Sequence, residues 1–212
     1  MRILIDLQGA QCDSRFRGIG RYSLSLALAM ARNAGEHEIW LALSAAFPQS
    51  ILDLRHAFSD LIPQERIRVF SIPQPTAEVE PANGWRARAA EIIREEFLES
   101  IQPDVIHIPS LFEGYGDDAV ASLCVCTTRY KTAVTLHDLI PLLDQASYLP
   151  NPIIRDYYFR KIDSIKHAGL LLAISESSRK EAMEALSWPE DKIINTYEGS
   201  HAHFQILDLL PE

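Results

Sequence analysis

Short apolar runs alternate along the chain with longer stretches in which apolar residues recur at helical spacing. Six runs are predicted to be strands: Arg2–Leu7, Ile39–Leu43, Ile67–Ile72, Val105–Ile108, Lys131–Leu136 and Leu170–Ile174. Helices are predicted through Tyr22, Leu26 and Met30, and at about 48–61, 85–101, 152–167 and 178–186. Because strands that alternate with helices form right-handed βαβ units, the pattern predicts an α/β fold: a Rossmann-like parallel sheet with helices on both faces.

The sequence predicts more detail for two of the helices and for the segment 73–83. The helix at 85–101 is predicted from the spacing of Ile92, Ile93, Phe97 and Ile101. The aromatic and basic helix at 152–167 could rest on a membrane surface, but its apolar stripe is also what a helix that covers a sheet requires, and core packing is favoured. Three prolines interrupt the segment 73–83, which is predicted to be the least ordered part of the chain.

Composition narrows the functional classes. A chain of 212 residues with a formal net charge of −9 does not have the basic surface of a protein that binds nucleic acid along its length. Asp6 interrupts the first apolar run, which argues against a signal peptide, and no stretch approaches about 18 apolar residues. The three cysteines, Cys12, Cys124 and Cys126, have no zinc-ligand spacing, and no bound metal or other cofactor is expected.

Ligands of open parallel sheets bind at the carboxyl ends of the strands. After the first strand, Gly18 and Gly20 precede a helix, and Arg15, Arg17 and Arg21 surround them. Backbone N–H groups at a helix start and forked guanidinium groups favour an anion. The alternative is a surface turn with solvated arginines. Neither a complete GxGxxG motif nor a GxxxxGK[ST] motif is present.

The loop after the fourth strand carries Glu113 and Tyr115. A tyrosine beside a carboxylate suits a ligand rich in hydroxyl groups, because the ring stacks and the acid accepts hydrogen bonds. The alternative is a mobile connection whose glycines serve as turn residues.

The fifth strand ends in His137 and Asp138. The histidine could donate a hydrogen bond to a ligand, act as a general base, or be held by a backbone carbonyl as a structural residue. Neighbouring side chains of a strand point to opposite faces, so Asp138 could instead orient the loop.

The sixth strand ends in Ser175 and Glu176, followed by Ser178. Ser178 with Glu181 fits a capping box, and Ser175 is a competing helix cap. A helix start in this position is also a place for anionic or hydroxylated ligands.

Taken in order, these loops resemble the N-terminal half of the GT-B glycosyltransferases of retaining family four, the group one transferases. The matching segments are Phe16–Tyr22, Thr135–Pro141 and Ala173–Ser178. The Gly-Ile-Gly-Arg-Tyr and His-Asp-Leu-Ile-Pro forms look most like bacterial enzymes that build O-antigen, lipopolysaccharide and related surface polysaccharides, often mannosyltransferases.

The resemblance implies roles for these residues. Gly18 and Gly20 would present N–H groups to the diphosphate of the donor, and His137 would hydrogen-bond the donor sugar as the catalytic-site histidine. Arg17, Arg21 and Tyr22 would shape the acceptor or phosphate side. Asp138, Ser175 and Glu176 are assigned to the same binding region.

The resemblance also implies a domain organisation. Residues 1–198 would form the acceptor-side Rossmann-like domain, and residues 199–212 would begin an interdomain linker, with the C-terminal donor-binding domain absent from this chain. The expected function is hexosyl transfer from a GDP- or UDP-sugar to a glycan or a polyprenyl-linked acceptor. It is expected in the cytoplasm, at the inner face of the membrane with peripheral membrane contact, and the chain alone is expected to be inactive.

Two other functions remain open at this stage. A stand-alone α/β module could bind a phosphorylated small molecule through the arginine-glycine loop without any chemistry. Another GT-B enzyme, such as a sugar-nucleotide epimerase, would also share the sheet, although the His-Asp-Leu-Ile-Pro form fits such an enzyme less well.

Overall fold

The computed structural model describes residues 1–123, 125 and 131–199. Its strands are β1 (Arg2–Asp6), β2 (Glu38–Ser44), β3 (Ile67–Phe70), β4 (Val105–Ile108), β5 (Lys131–Leu136), β6 (Leu170–Ala173) and β7 (Ile193–Asn195). Its helices are α1 (Gly18–Arg32), α2 (Pro48–Ala57), α3 (Gly84–Ser100), α4 (Ile140–Leu143), α5 (Gln145–Tyr148), α6 (Pro152–Ile165) and α7 (Glu176–Ala185). Cys124 and Cys126, and the predicted linker beyond Gly199, lie outside the described residues.

All seven strands pair in parallel, in the order β3-β2-β1-β4-β5-β6-β7. The predicted Rossmann-like sheet is therefore confirmed. The chain builds outward from β1 to β3 and then returns to β4 on the other side of β1. This reversal places the loops that follow β1 and β4 next to each other, where open α/β sheets bind their ligands. Strand β7 was not among the six predicted strands.

Alternate residues of β1 face opposite layers of the core. Leu4 belongs to an apolar cluster with residues of α3, α6 and α7, whereas Ile5 packs with residues of α1 and α2. Because successive side chains of a strand point to opposite faces, helices cover the sheet on both sides. Within the described residues, no helix combines the length and apolar character needed to cross a membrane.

Helix α3 buries only part of the apolar series from which it was predicted. Ile101 is buried and Phe97 packs against the core, whereas Ile92 and Ile93 are 43% and 42% exposed. The residues of α3 that are buried are Ala87, Ala90, Glu91, Arg94, Glu95 and Leu98. Three of these six residues are charged, so the spacing of apolar residues does not reveal the buried face. These buried charges have partners inside the protein.

The most deeply buried of these partnerships joins α3 to β1. Arg94 donates to Asp6 through Nε at 2.8 Å and also through its second guanidinium nitrogen, and both side chains are almost completely buried. Gln8 donates to the same carboxylate and exchanges two hydrogen bonds with the backbone of Val120. Arg94 also donates to the carbonyl of Ser122 at 3.2 Å. One ion pair therefore ties together β1, α3 and the extended segment before β5.

Helix α6 packs into the core, as favoured above. Tyr157, Tyr158 and Lys161 are buried, and the ammonium of Lys161 donates to the carbonyl of Ala121. Burial lowers the pKa of Lys161 to about 8. Arg160, also on α6, forms ion pairs with Glu78 and Glu91. The side chains of Lys161 and Arg160 therefore both bond to groups within the protein.

The proline-rich segment 73–83 is irregular but is attached to its neighbours. The N–H groups of Glu78 and Val79 donate to the carbonyls of Gly114 and Tyr115. Asp118 accepts the N–H of Thr76 at 2.6 Å. These bonds hold the segment against the loop after β4. They argue against the expectation that this would be the least ordered part of the chain.

We expect Arg94→Ala to lower the free energy of unfolding by about 3–5 kcal/mol, because it leaves the Asp6 carboxylate buried without its counter-charge. Urea denaturation of the 212-residue chain measures this change. The matched control is Arg32→Ala on the exposed end of α1, which should change stability by less than about 0.5 kcal/mol. Equal stabilities of the two variants would contradict the prediction.

Candidate functional site

Five parts of the chain meet at the carboxyl end of the sheet. They are the first turn of α1, the loop after β4, the residues that follow β5, the start of α7 and the segment after β7. His137 follows β5 and contacts residues from the other four parts. The convergence makes this edge the candidate active site.

Gly20 is required by close packing between α1 and the turn before it. A Cβ atom at this position would lie 2.2 Å from the carbonyl oxygen of Ser14 and 2.7 Å from Cα of Arg15. Gly18 is different, because a Cβ atom there would meet nothing within 4 Å. The two glycines thus have distinct roles: Gly20 lets the loop and the helix touch, while Gly18 begins the helix. The first N–H groups of any α-helix have no acceptor within the helix, so those of α1 could bind a diphosphate. That contact remains a prediction.

The three arginines of this loop do not act as one group. Arg15 bonds to Asp53 on α2 at 2.7 Å and packs over the ring of Phe16, so it is not a free donor for an anion. Arg17 and Arg21 are exposed and, within the described part of the chain, have no ion-pair partner. Arg17 is the residue before α1 and Arg21 lies at its start, so the two guanidinium groups flank the beginning of the helix in the sequence.

Tyr22 contacts the predicted catalytic-site histidine. Its ring meets the imidazole of His137 edge to face, with centroids 5.1 Å apart and an interplanar angle of 82°. Burial raises the pKa of the tyrosine, while hydrogen bonds with Thr135 and Thr196 oppose that shift. The structure therefore brings two of the predicted residues together, one from α1 and one from the end of β5.

The imidazole of His137 has a defined hydrogen bond on one nitrogen. Nε2 lies 3.0 Å from the carbonyl oxygen of Pro109. Since a carbonyl only accepts, Nε2 carries the proton, and Nδ1 of the neutral ring is the acceptor. Burial lowers the pKa of His137, which the Pro109 bond and the charge of Glu198 partly offset. A neutral ring at neutral pH with one free acceptor nitrogen can receive a hydrogen bond from a hydroxyl group.

The residues beside His137 mainly shape the backbone. Asp138 is exposed and accepts the N–H of Ile140 at 3.0 Å, so it orients the loop that enters α4. Ser175 caps α7 by accepting the N–H of Ser178 at 3.0 Å. The hydroxyl of Ser178 donates to the carbonyl of His137 at 2.6 Å. Of the two predicted caps, Ser175 is therefore the one used, and Ser178 connects α7 to the histidine.

Glu176 is engaged at the start of α7. Its carboxylate pairs with Arg179 at 3.1 Å and accepts a hydrogen bond from Asn195 at 3.4 Å. It therefore joins the helix to the end of β7. Its assignment to ligand binding remains a prediction.

Glu113 is buried, contrary to the expectation of a side chain open to a sugar. Its oxygens accept hydrogen bonds from Ser110 at 2.7 Å and Ser14 at 2.9 Å, and from the thiol of Cys12 at 3.3 Å. Burial raises the pKa of Glu113 and of the Cys12 thiol. The geometry gives Glu113 an internal role: it fastens the loop after β1 to the loop after β4.

Tyr115 is half-buried and packs against Tyr157 of α6, with ring centroids 5.3 Å apart.

One sulfur and two carboxylate oxygens lie within 4.8 Å of one another, on Cys12, Glu113 and Asp117. The oxygens of Glu113 in this cluster already accept the hydrogen bonds from Ser110, Ser14 and the Cys12 thiol.

Sequence analysis missed three residues that contact the site. Thr135 precedes His137 by two residues on β5, and Thr196 and Glu198 follow β7. The two threonines bond to Tyr22, and Glu198 lies beside His137. Only the alternation of β5 could have indicated Thr135, because side chains two residues apart share a face of a strand. Nothing in the local sequence places the β7 segment against α1.

Residues 16–199 match the sequence model of Glycosyltransferase Family 4. The chain belongs to this family. The match begins at the turn before α1 and ends just after Glu198, so it includes every part of the chain that converges on His137. The resemblance inferred from the three motifs is confirmed.

Curated relatives agree with this assignment. The chain is 34% identical over 213 aligned residues to the serotype-specific mannosyltransferase WbdA of Escherichia coli, which covers 100% of this chain and 25% of the relative. A second WbdA sequence from Escherichia coli is 32% identical over 185 residues, 87% of this chain and 23% of the relative. The chain thus spans about a quarter of the length of the curated relatives it matches.

Solved structures share the fold. The UDP-GlcNAc 2-epimerase of Neisseria meningitidis, bound to UDP-GlcNAc, superposes with a TM-score of 0.59 at 15% identity, over 92% of this chain and 46% of the epimerase chain. A putative UDP-N-acetylglucosamine 2-epimerase of Listeria monocytogenes gives 0.56 at 12% identity, over 91% of this chain and 44% of its own. Identities this low show a common fold and do not transfer an activity.

We expect Gly20→Ala to destabilise the protein by about 1–3 kcal/mol, because the added methyl group meets backbone atoms that cannot rotate away. Gly18→Ala is the matched control, since its methyl group enters open space and should be neutral or stabilise the helix by less than about 1 kcal/mol. Urea denaturation of both variants tests this pair. A Gly20→Ala protein as stable as Gly18→Ala would refute the packing argument.

We expect Arg21→Ala to weaken the binding of inorganic pyrophosphate to the 212-residue chain, and the difference from the wild type to shrink as salt is added. Calorimetric titrations at low and at physiological ionic strength measure both effects. Arg15→Ala is the control, since its guanidinium is paired with Asp53 and should contribute little. An Arg21→Ala effect that is absent, or the same at every salt concentration, would remove the anion site from α1.

Proposed function

We propose that this chain is the acceptor-side domain of a retaining glycosyltransferase that transfers a hexosyl group, mannosyl by similarity to the curated relatives, from a nucleotide sugar to a glycan or polyprenyl-linked acceptor. The observation that carries the proposal is the environment of His137. Its imidazole is held by Pro109 and Tyr22 at the ligand-binding edge of the sheet, and its Nδ1 remains available.

His137 would bind a hydroxyl group of the donor sugar. The Pro109 carbonyl fixes the proton on Nε2, so the neutral ring offers Nδ1 as an acceptor. Because burial lowers the pKa of the histidine, this acceptor form is maintained at neutral pH. The ring would thus orient the sugar and would not have to supply a charge.

The first turn of α1 would lie on the phosphate side of the same site. Its free N–H groups and helix dipole favour an anion, and the exposed guanidinium groups of Arg17 and Arg21 add positive charge. Tyr22 follows on the same turn and contacts His137. Sugar and diphosphate would therefore be recognised by neighbouring residues of one short segment.

The chemistry implied by the family is transfer with retention at the anomeric carbon. The acceptor hydroxyl attacks, and its proton passes to the leaving diphosphate, so no protein nucleophile is required. The residues of this chain would act by orienting the reactants and by offering hydrogen bonds to developing charge. Closure of the cleft would exclude water, which competes with the acceptor. Neither a metal nor another cofactor is part of the proposal.

We propose that the donor is a GDP- or UDP-sugar and that the product is O-antigen or a related lipopolysaccharide glycan. We propose that the protein works in the bacterial cytoplasm, at the inner face of the membrane. Donor binding would involve a second domain of the GT-B type. Contact with the membrane would come through a polyprenyl-linked acceptor.

We expect His137→Ala to reduce sugar transfer by about 100-fold or more, which is the usual effect of removing a hydrogen bond made in the transition state. The assay uses the protein as its source organism produces it, with GDP-mannose and UDP-GlcNAc as alternative donors and a membrane extract as acceptor. His56→Ala, an exposed histidine on α2, is the control and should retain activity.

Two outcomes would contradict the proposal. Transfer that is unaffected by His137→Ala would make the histidine a structural residue. Tight binding of a nucleotide sugar by a folded protein that transfers nothing to any acceptor would favour a stand-alone binding module.

A further inference from the structure

Glu198 lies beside the imidazole of His137, although His137 follows β5 and Glu198 follows β7. Its carboxylate Oε1 is 4.0 Å from Nδ1 of the histidine, the nitrogen that does not bond to Pro109. The His137 side chain is 15% exposed and that of Glu198 is 49% exposed. The carboxylate therefore approaches the mostly buried ring from the solvent side, at its only free nitrogen.

The backbone around Glu198 is arranged in an unusual way. Tyr197, the preceding residue, has φ of +54°, a left-handed conformation that tyrosine rarely adopts. Its N–H donates to the side chain of Asn195 at 3.0 Å, and Asn195 in turn donates to Glu176 at 3.4 Å. An uncommon backbone conformation persists only where its surroundings impose it, and such positions are concentrated at functional sites.

The same segment also contacts the other ring of the site. The N–H of Thr196 donates to the carbonyl of Ala173 at 2.9 Å, which continues the pairing of β7 with β6. The hydroxyl of Thr196 donates to the same carbonyl at 3.3 Å, and it lies close enough to Tyr22 to act on the pKa of that tyrosine. Thr196 and Glu198, two residues apart, thus contact Tyr22 and His137, which contact each other.

We propose that Glu198 is a positioning residue for His137: its carboxylate faces Nδ1 of the ring and stabilises the imidazole when that nitrogen takes up a proton. A separation of 4.0 Å is too long for a hydrogen bond but short enough for an electrostatic interaction. The groups that face the ring are the carboxylates of Glu198 and Asp138, and Tyr22 from α1.

The contact couples His137 to the segment of the chain that follows β7. Because Glu198 sits on the segment that leaves β7, any movement of residues 196–199 would change the field at Nδ1 of His137. The protonation of the histidine would then depend on the position of this segment. The use of that nitrogen in sugar binding rests on the proposed function, but the contact between the two residues does not.

Nitrogen-15 NMR of the 212-residue chain with labelled histidine tests the proposal without any sugar transfer. His137 is assigned as the resonance lost in His137→Gln. We expect the His137 titration midpoint to move to lower pH in Glu198→Gln, since a negative charge that favours the protonated ring has been removed. The matched control is Glu184→Gln, an exposed carboxylate on α7, which should leave the midpoint unchanged.

A second measurement uses the salt dependence of the His137 midpoint. Added salt should lower the midpoint of the wild type, because the half-exposed carboxylate is screened, and should have a smaller effect in Glu198→Gln. The proposal is overturned if both proteins have the same midpoint, or if the wild-type midpoint does not respond to salt. Loss of sugar transfer is scored separately, so that a failure of the proposed function leaves this result unaffected.

Discussion

The buried ion pair between Asp6 and Arg94 is the contact on which the candidate site depends. It fixes the end of β1, and through Gln8 and the backbone of Val120 it fixes the loop and the segment that border the reversal of strand order. Two charges in the core are costly unless their hydrogen bonds are satisfied, and here they are. The ligand-binding edge is therefore built on a buried polar junction.

Strands β1 to β6 could be predicted because a parallel sheet buried on both faces leaves continuous apolar runs in the sequence, whereas the three-residue β7 could not. His137 and Ser175 could be located for the same reason, since each directly follows such a run. The buried face of α3 could not be predicted. Its burial depends on Asp6, 88 residues away in the sequence, and not on the local spacing of apolar side chains.

The candidate site shows the same division between local and distant information. Residues at strand ends and helix starts were found from the sequence, because their positions follow from local structure. Glu198 was not found, because its proximity to His137 results from the pairing of β7 with β6 and from the left-handed Tyr197. Glu113 was found, but its surroundings were misjudged: a carboxylate in a loop suggests exposure, and only the packing of two loops reveals its burial.

The thiol of Cys12 lies at this packed junction, bonded to Glu113 and buried. Its raised pKa and lack of access make it unreactive toward alkylating reagents while the two loops stay together. Reaction at this sulfur would therefore require the loops to separate, so its rate reports the local opening of the edge that carries the site. The protein thus contains a chemical reporter of motion a few residues from Arg17 and Gly18, where no foreign label would have to be introduced.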